Sequence, residues 1–337
     1  MQQYYSIRSA SLSGIEHLIK ELGGDLNSLL VQCNLTTQDL LNPESLIDFA
    51  SMINLLELAS QQLNCKDFGL KLAKNQGIEV LGPISLIIQA SETVQEALDN
   101  AQRYMAIHSL GEYWILKEFE HLAYIERYQI SQDVSYAKQY KELSLGVCLN
   151  LLKNLIGSSL KIERLEFSHT PLSISSKYQK YFGCSVVFNQ EHDRLIFSRD
   201  YLYTPLQATL SKHKRHYEQY LDLLIFQSGD NIERKVRTLV LQTMGLHSAN
   251  INDIAHMLNM SPRTLQRRLE IHDTNFQKLL KDVRISAARW YLESSRIDIT
   301  LLSELLGYRN VSGFSKAFKN TYGSSPLKWR QQASNRL

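Results

Sequence analysis

The sequence predicts an α+β domain followed by an all-α domain that contains two helix-turn-helix units. Three observations predict this arrangement. The length of 337 residues suits two domains. Glycine (15 residues) and proline (6 residues) are sparse, which favours helices over turns. Alternating aromatic and β-branched residues, the pattern of strands, occur in the middle of the chain. The expected boundaries are 1–205 for the α+β domain, 206–231 for a helical linker and 232–337 for the all-α domain.

The first hundred residues predict a series of helices. Apolar residues recur at helical spacing from Leu12 to Leu22, and Gly23 and Gly24 end that run. The helices are expected over residues 12–22, 26–33, 36–41, 47–63, 84–89 and 94–110. One face of the last helix carries Ala97, Ala101, Tyr104 and His108.

The middle of the chain predicts strands mixed with helices. Two β-hairpins are expected, one from residues 113–117 and 121–130 and one from residues 185–189 and 194–197. A further strand is expected over residues 161–168 because its residues alternate between apolar and polar. Helices are expected over 136–156 and 206–226, and the QSGDN segment at 227–231 is expected to link the two domains.

Positive charge is concentrated in the C-terminal part of the chain. Residues 232–337 carry 17 basic and 8 acidic side chains, whereas residues 1–231 carry 20 and 26. Such an excess of positive charge over a single domain is the electrostatic signature of a protein that binds a polyanion such as nucleic acid. The alternative is a basic surface that contacts only solvent. The acidic N-terminal part is not expected to contact nucleic acid broadly.

Residues 251–269, INDIAHMLNMSPRTLQRRL, predict the first helix-turn-helix. A tight turn is expected at residues 259–260. Ser261 is expected to cap the second helix and Pro262 to occupy its first position, where proline is tolerated. One exposed face of that helix then carries Arg263, Gln266 and Arg267. In a major groove, arginine pairs with guanine and glutamine with adenine. The alternative is a structural helical hairpin with a solvated basic stripe.

Residues 300–322, TLLSELLGYRNVSGFSKAFKNTY, predict the second helix-turn-helix. Gly307 supplies a left-handed turn that other residues resist. The helix that follows is expected to bury Phe314 and Phe318. Its exposed side chains are expected to be Ser312, Ser315, Lys316 and Lys319. The helix over residues 276–294 is long enough to hold the two units apart, so that they read successive major grooves about 34–36 Å apart.

The C-terminal hundred residues resemble the DNA-binding domain of the AraC/XylS family of transcription regulators. The likeness lies in IA and MSPRTLQR within residues 254–267, and in GY, SGFSKAFK, GSSP and WR within residues 307–330. The resemblance implies a seven-helix domain with two recognition helices joined by a rigid helix. The candidate DNA contacts are Arg263, Thr264, Gln266, Arg267, Arg268, Ser312, Ser315, Lys316 and Lys319.

Four positions depart from the family pattern. Lys316 stands where arginine is usual, and lysine cannot form a bidentate pair with guanine. Gly313 offers no side chain for contact, and Ser303 replaces a small alanine. Trp329 replaces the commoner tyrosine, which should matter only for packing. We therefore expect the second helix-turn-helix to supply mostly phosphate contacts and the first helix-turn-helix most of the sequence readout.

The N-terminal two hundred residues resemble the effector domain, called arabinose-binding-type, of one AraC subfamily. The likeness lies in the LGP turn at 81–83, the ALDNAQRY helix at 97–104 and the segment YFGCSVVFNQEHDRLIFSRDYL at 181–202. The name does not imply that arabinose binds. The resemblance implies a small-molecule effector, for which the candidate contacts are Tyr104, His108, Tyr113, Trp114 and Arg127. Ordinary core packing is the alternative for each of them, and for Arg127 a cross-strand ion pair with a residue such as Glu118.

Neither catalysis nor a cofactor is indicated. The chain has no GxSxG, GxGxxG, Walker A or HExxH motif. His213 and His216 have metal-ligand spacing, but no third ligand is evident nearby, which favours a solvated pair. The four cysteines are widely separated and are expected to be buried, reduced thiols. No apolar stretch approaches 18 residues, and no secretory signal is evident at the start. We expect a cytoplasmic, nucleoid-associated bacterial protein.

The favoured hypothesis is a sequence-specific transcription regulator, not an enzyme, that activates or represses its promoter and is controlled by a small-molecule effector and by dimerisation. Its expected partners are double-stranded promoter DNA, RNA polymerase, the effector and a second copy of the chain, with no membrane. One alternative is a ligand-independent DNA-binding regulator whose N-terminal domain is a protein-interaction module. Another is an N-terminal enzyme fused to a DNA reader, which would require a polar cleft with paired titratable groups.

Overall fold

The computed structural model describes residues 5–129, 137–207, 210–227, 232–243, 250–258, 260–294 and 297–334. The chain divides into two compact units, Met1–Glu218 and Gln219–Leu337. Five predicted features lie partly outside the described residues: the strand expected to end at 130, the helix expected to begin at 136, the helix expected over 206–226 (at 208 and 209), the linker (at 228–231) and the turn at 259–260 (at Asn259). The predicted domain boundaries stay predictions.

The first unit is built from seven strands and ten helices within the described residues. The strands are β1 (Ser6–Arg8), β2 (Leu46–Asp48), β3 (Glu112–Phe119), β4 (Leu122–Gln129), β5 (Ile162–Glu166), β6 (Ser185–Val187) and β7 (Asp193–Ser198). The helices are α1 (Ile15–Glu21), α2 (Leu26–Gln32), α3 (Thr37–Leu41), α4 (Phe49–Gln62), α5 (Phe68–Ala73), α6 (Ile84–Gln89), α7 (Val94–His108), α8 (Lys138–Ile156), α9 (Ser175–Phe182) and α10 (Lys214–Gln227), the last of which continues into the second unit.

The main sheet has the strand order β3-β4-β7-β5-β6. The predicted hairpin of β3 and β4 is confirmed, with Trp114 opposite Arg127. The predicted hairpin of β6 and β7 is wrong, because β7 lies between β4 and β5 while β6 pairs in parallel with β5. The physical reason is the crossover through α9, which returns the chain to the sheet in the same direction and makes β6 the partner of β5. The short β1 and β2, which the helical periodicity did not predict, form a separate antiparallel pair.

Two apolar clusters form the core of the first unit. One joins β1 to the N-terminal helices around Phe49, Met52 and Leu56, all of which are fully buried. The other lies between α8 and the main sheet, around Leu149 and Phe197. Three of the four cysteines are buried as expected, whereas Cys184 is half-buried, and all four are free thiols. The class predicted from the sequence, an α+β N-terminal domain, is confirmed.

The chain is extended at residues 204–206, where the predicted helix over 206–226 would begin, and a short 3-10 helix, Ser211–His213, precedes α10. Helix α10 begins at Lys214. The backbone upstream of it is bonded to the start of α7 instead: the Val94 N–H donates to the Thr204 carbonyl at 3.2 Å, and the Leu206 N–H donates to the Glu92 carbonyl at 2.9 Å. These bonds hold residues 204–206 in an extended conformation. The side chain of Lys214, the first residue of α10, forms an ion pair with Glu96 in the first turn of α7.

After α10, the described residues of the second unit form seven helices, as the family resemblance implies. They are α11 (Ile232–Thr243), α12 (Ile251–Met257), α13 (Pro262–Glu270), α14 (Phe276–Ser294), α15 (Ile299–Leu305), α16 (Val311–Tyr322) and α17 (Pro326–Ser334). Helix α14 packs against α11, α16 and α17 and so lies at the centre of this unit. Within the described ranges, none of the helices has the combination of length and apolar character that crossing a membrane requires.

Candidate nucleic-acid interface and ligand cavity

The first helix-turn-helix is formed by α12 and α13. The side chain of Asn250 caps α12 by accepting from the N–H groups of Asn252 and Asp253, each at 3.0 Å. The Ser261 hydroxyl caps α13 by accepting from the Thr264 N–H at 3.1 Å, and Pro262 is the first helical residue. Both features of α13 were predicted from the sequence. They fix where α13 starts, because a cap satisfies backbone donors that have no partner within the helix.

The outer surface of α13 is basic and polar. Leu265 and Leu269 are fully buried, which turns the opposite side of the helix to solvent. The exposed side chains of Arg263, Gln266 and Arg267 form no ion pair or hydrogen bond within the described part of the chain. Arg268 is exposed as well. Thr264 is half-buried, and its hydroxyl lies 2.8 Å from that of Ser261, so it belongs to the helix cap.

The second helix-turn-helix is formed by α15 and α16. Gly307 between them has φ +71°, in the left-handed region that the sequence predicted for it. The Tyr308 N–H donates to the Ser303 carbonyl at 3.0 Å and closes the turn. The Asn310 side chain caps α16 by accepting from the Gly313 N–H at 2.7 Å. The turn is therefore defined by a local backbone bond at Tyr308 and by the side-chain cap of Asn310.

Helix α16 also presents a polar outer surface. Phe314 and Phe318 are fully buried, as predicted. Ser312, Lys316 and Lys319 are exposed, whereas Ser315 is half-buried. The sequence analysis missed Arg309, which is exposed immediately before the N-terminus of α16. Its basic side chain next to a helix start was the signal that would have identified it.

Helix α14 packs against the second helix-turn-helix on the side away from its exposed face. The Arg284 guanidinium lies over the Tyr308 ring at 5.5 Å from its centroid. Trp329, which departs from the family pattern, packs against Tyr322 with ring centroids 5.0 Å apart. Ser303, the other packing departure, is buried, and its hydroxyl has no hydrogen-bond partner in the described part of the chain. With 19 residues, α14 is about 28 Å long at about 1.5 Å per residue.

The first unit contains a cavity of about 100 Å³ between α7, α8 and the hairpin of β3 and β4. Helix α7 contributes Leu98, Ala101, Gln102, Met105 and His108 to its wall. The contributions from α8 are Tyr140, Leu143, Ser144, Val147, Cys148 and Leu151. The strands and the segment before α6 complete it with Glu112, Trp114, Leu116, Ile125, Gln76, Gly77, Val80 and Leu81, and Ser11 lies at its edge. Apolar groups therefore make up most of the wall, as in typical ligand pockets.

Two of the five predicted effector contacts lie at this cavity and three do not. His108 and Trp114 line it. Tyr104 is fully buried elsewhere, and Tyr113 stacks on Tyr128 with ring centroids 4.8 Å apart. The periodicity of α7 identified the buried face correctly, but it did not distinguish the residues at the cavity from those in the core. Residues of α8 were missed because no motif marks them.

Arg127 belongs to a buried ion cluster behind the cavity. Its Nε donates to Glu112 Oε2 at 2.6 Å, and its Nη1 lies 3.6 Å from Asp193 Oδ2. Lys141 Nζ lies 3.8 Å from the same Asp193 oxygen. The predicted partner Glu118 is wrong, because it lies opposite Ala123 in the hairpin and its carboxylate is 3.8 Å from Arg199. We call Glu112, Arg127, Lys141 and Asp193 the buried ion cluster; its formal charges cancel.

Burial sets the protonation states around the cavity. Desolvation, followed by the positive charge of Arg8, lowers the pKa of His108 to about 3, so its imidazole is neutral at physiological pH. Burial raises the pKa of Cys148 to about 12, so its thiol is also neutral. Burial alone would raise the pKa of Asp193, but the charges of Lys141 and Arg127 outweigh it and hold the pKa below the usual value.

Comparison with known proteins identifies both parts of the chain. Residues 23–206 match the family model described as the arabinose-binding domain of AraC transcription regulator, N-terminal, and residues 254–332 match a helix-turn-helix domain model. The chain is 26% identical to the HTH-type transcriptional regulator VirS of Mycobacterium tuberculosis over 331 residues, which cover 96% of each protein. It is 24% identical to the ornithine utilization regulator of Pseudomonas aeruginosa over 319 residues, which cover 93% of each.

Among solved structures, the chain is similar to the transcriptional regulator CdpR from Pseudomonas aeruginosa, with 20% identity, a TM-score of 0.44, and coverage of 91% of this chain and 96% of that one. The family models account for the N-terminal unit and for both helix-turn-helix units. The chain therefore belongs to the AraC family of DNA-binding transcriptional regulators, in the group that carries the arabinose-binding-type N-terminal domain.

Proposed function

We propose that this regulator contacts the bases of promoter DNA with α13 and the phosphates with α16, and that a small molecule bound in the first unit controls this binding. One observation carries the DNA-reading part: Arg263, Gln266 and Arg267 share one exposed face on a helix whose other face is buried. Arginine and glutamine are the side chains that pair bidentately with guanine and adenine. The exposed Lys316 and Lys319 of α16 are point charges suited to phosphates. The second helix-turn-helix therefore contributes affinity more than sequence readout.

The control part of the proposal is supported by the cavity. It lies next to α7, whose first turn is bound to the segment that leads into α10. A ligand alters DNA binding only if it binds one arrangement of the protein more tightly than another. Dimerisation is supported by Tyr220 and Leu223 of α10, which expose 45% and 52% of their surface at i, i+3 spacing. RNA polymerase is the partner that we propose for the DNA-bound dimer.

A second candidate function is a ligand-independent regulator whose first unit binds another protein. It is favoured by apolar side chains that are exposed on the N-terminal helices and β2. These are Val31, Leu41 and Leu46, with exposures of 73%, 72% and 55%. This candidate predicts that no small molecule changes promoter binding and that the first unit retains a protein partner.

The DNA contacts are tested by single substitutions on a promoter site located by footprinting. Arg267→Ala should weaken binding to that site by about 1–3 kcal/mol and relax its preference at one base pair. Lys319→Ala should weaken binding to all sequences alike and reduce the salt slope by about one ion. Lys153→Ala removes an exposed positive charge from α8 in the first unit and serves as the control. Equal loss on all sequences for Arg267→Ala would make Arg267 a phosphate contact, and no loss for either variant would refute the proposed interface.

The control part is tested by measuring promoter affinity and transcription with fractions of a metabolite extract. We expect at least one fraction to change both. If affinity and transcription stay unchanged across all fractions, effector control is refuted and the second candidate is favoured.

A further inference from the structure

The polar side chains that line the cavity already have partners within the protein. Gln76 Nε2 donates to the Ser11 and Ser13 carbonyls at 3.1 and 2.8 Å. Gln102 Oε1 accepts from the Leu116 N–H at 3.2 Å. These bonds hold both amide side chains in place. A ligand with many polar groups would have to break them, because a buried polar group that loses its partner costs free energy.

Most of the remaining polar groups of the wall are paired as well, but Nδ1 of His108 is buried and has no hydrogen-bond partner in the described part of the chain. The Ser144 hydroxyl donates to the Lys141 carbonyl at 3.2 Å. The Ser11 hydroxyl lies 3.3 Å from Nε2 of His108. The Trp114 indole N–H donates to Glu112 Oε1 at 3.2 Å. The wall therefore offers a ligand one unpaired ring nitrogen, Nδ1 of His108, and the spare lone pairs of groups that already have partners, which is enough for one or two hydrogen bonds.

The cavity also offers no unpaired charge to a charged ligand. Among the described residues that line it, Glu112 is the one that carries a charge, and Arg127 neutralises it at 2.6 Å. The other members of the buried ion cluster neutralise each other. A carboxylate in the cavity would meet no free cation, and an ammonium group would have to compete with Arg127 for Glu112. Either charge would lose its hydration without compensation.

Size limits the ligand as well. An engineered cavity of about 150 Å³ binds benzene, which has six non-hydrogen atoms, so a cavity of about 100 Å³ is matched by a molecule of about four to five non-hydrogen atoms. We infer that the effector cavity of this regulator takes a small, neutral, mostly apolar molecule with one or two hydrogen-bonding groups, such as a short-chain alcohol, and excludes carboxylates and amines of the same size. This inference rests on the proposed function, since it names the chemistry of the proposed effector.

Three probes of matched size test the inference on the full-length protein: 1-butanol, butyrate and butylamine. Binding is measured by ligand-detected NMR and by the shift of the Trp114 indole N–H signal, which the variant Trp114→Phe assigns. We expect 1-butanol to bind with a dissociation constant of about 1 mM, in line with ligands of five atoms. Butyrate and butylamine should bind at least about 10-fold more weakly, because of the cost of burying their charge.

Two cavity variants locate the binding. Ala101→Leu places three further carbon atoms in the cavity and should abolish the binding of 1-butanol. The control Ala106→Leu makes the same change on the same helix at a half-buried position that does not line the cavity, and should leave binding within about twofold of the parent. If Ala101→Leu does not fold, Leu151→Ala provides the second test: it enlarges the cavity and should tighten the binding of 1-hexanol relative to 1-butanol.

The outcomes separate the ligand class from the proposed function. Tighter binding of butyrate or butylamine than of 1-butanol overturns the neutral class, and effector control stands if an extract fraction still changes promoter binding. Absence of binding by all three probes, or binding that neither cavity variant changes, overturns the cavity as the site. If no extract fraction changes promoter affinity or transcription, effector control is refuted, whatever the three probes show.

Discussion

Replacing Glu142 by Gln should change how the stability of the first unit depends on pH. Glu142 lies on α8 with no exposed surface. The Tyr178 hydroxyl donates to its Oε1 at 2.5 Å, and His169 Nε2 lies 4.0 Å from the same oxygen. Burial is the largest influence on this carboxyl, and with the nearby charges of Asp67 and Glu57 it raises the pKa from 4.5 to about 8 against the opposing hydrogen bond from Tyr178.

The sign and size of the effect follow from that shift. A carboxyl whose pKa is higher in the folded state contributes its full stability below pH 4.5 and loses it as the pH rises to about 8. The shift corresponds to about 5 kcal/mol over that window, at about 1.4 kcal/mol per pH unit. Glutamine cannot ionise, so Glu142→Gln should remove this decline. His169, whose pKa is lowered from 6.5 to about 4 by burial, changes the stability in the opposite direction between about pH 4 and pH 6.5, and it is present in both proteins.

The assay is urea unfolding, followed by circular dichroism, of the parent and Glu142→Gln at pH 5, 6, 7 and 8. We expect the free energy of unfolding of the parent to fall relative to the variant by several kcal/mol between pH 5 and pH 8. Glu163→Gln, at an exposed position on β5, is the matched control and should run parallel to the parent. A constant difference between parent and Glu142→Gln across this range would refute the assigned protonation state.

Three further substitutions test other parts of the fold by the same unfolding measurement. Arg127→Met leaves the buried Glu112 without its cation and Asp193 with Lys141 alone, and should cost about 3–5 kcal/mol, whereas a loss below about 1 kcal/mol would show that the ion cluster is not needed. Gly307→Ala should destabilise the second unit by about 1–2 kcal/mol, since φ is +71° and the new Cβ would lie 2.7 Å from Nη2 of Arg284. Gly313→Ala, in the exposed face of α16, is its control: helical propensity favours alanine, but the new Cβ would lie 3.2 Å from Oδ1 of Asn310, so the change should stay within about 1 kcal/mol in either direction. Ser261→Ala should cost about 1 kcal/mol through the lost helix cap, and an unchanged melting curve would contradict the role of that hydroxyl.

The second unit was the more predictable part of the chain. Its helices begin at residues that mark a start by their own chemistry, such as Ser261 with Pro262, and its second turn is fixed by Gly307. These signals act over three or four residues, so a local pattern is enough to place them. The exposed face of α13 followed from the periodicity of Leu265 and Leu269. Which of its side chains contact bases remains a prediction.

The first unit was less predictable because its contacts join distant parts of the sequence. Nothing in residues 185–189 shows that their partner is β5 rather than β7, since strand pairing depends on the crossover through α9. The cavity is formed by α7, α8 and two strands together, and only His108 and Trp114 among its lining residues carried a signal. Arg127 was recognised as a strand residue in need of an acidic partner. Its actual partner, Glu112, depends on the packing of side chains across the hairpin, which alternation does not specify.

Helix α7 makes contacts of two different kinds, with the cavity and with α10. Its C-terminal turns, with Met105 and His108, form part of the cavity wall, whereas Glu96 in its first turn holds Lys214 of α10. A helix of 15 residues is about 22 Å long. If it moves as a rigid element, a displacement of its C-terminal turns by a ligand also displaces its first turn. Under the proposed function, mutations at the cavity wall would alter which molecule binds. Mutations of Glu96 would alter how much ligand binding changes the affinity for the promoter. Ligand choice and response strength would thus be open to separate evolutionary adjustment within one helix.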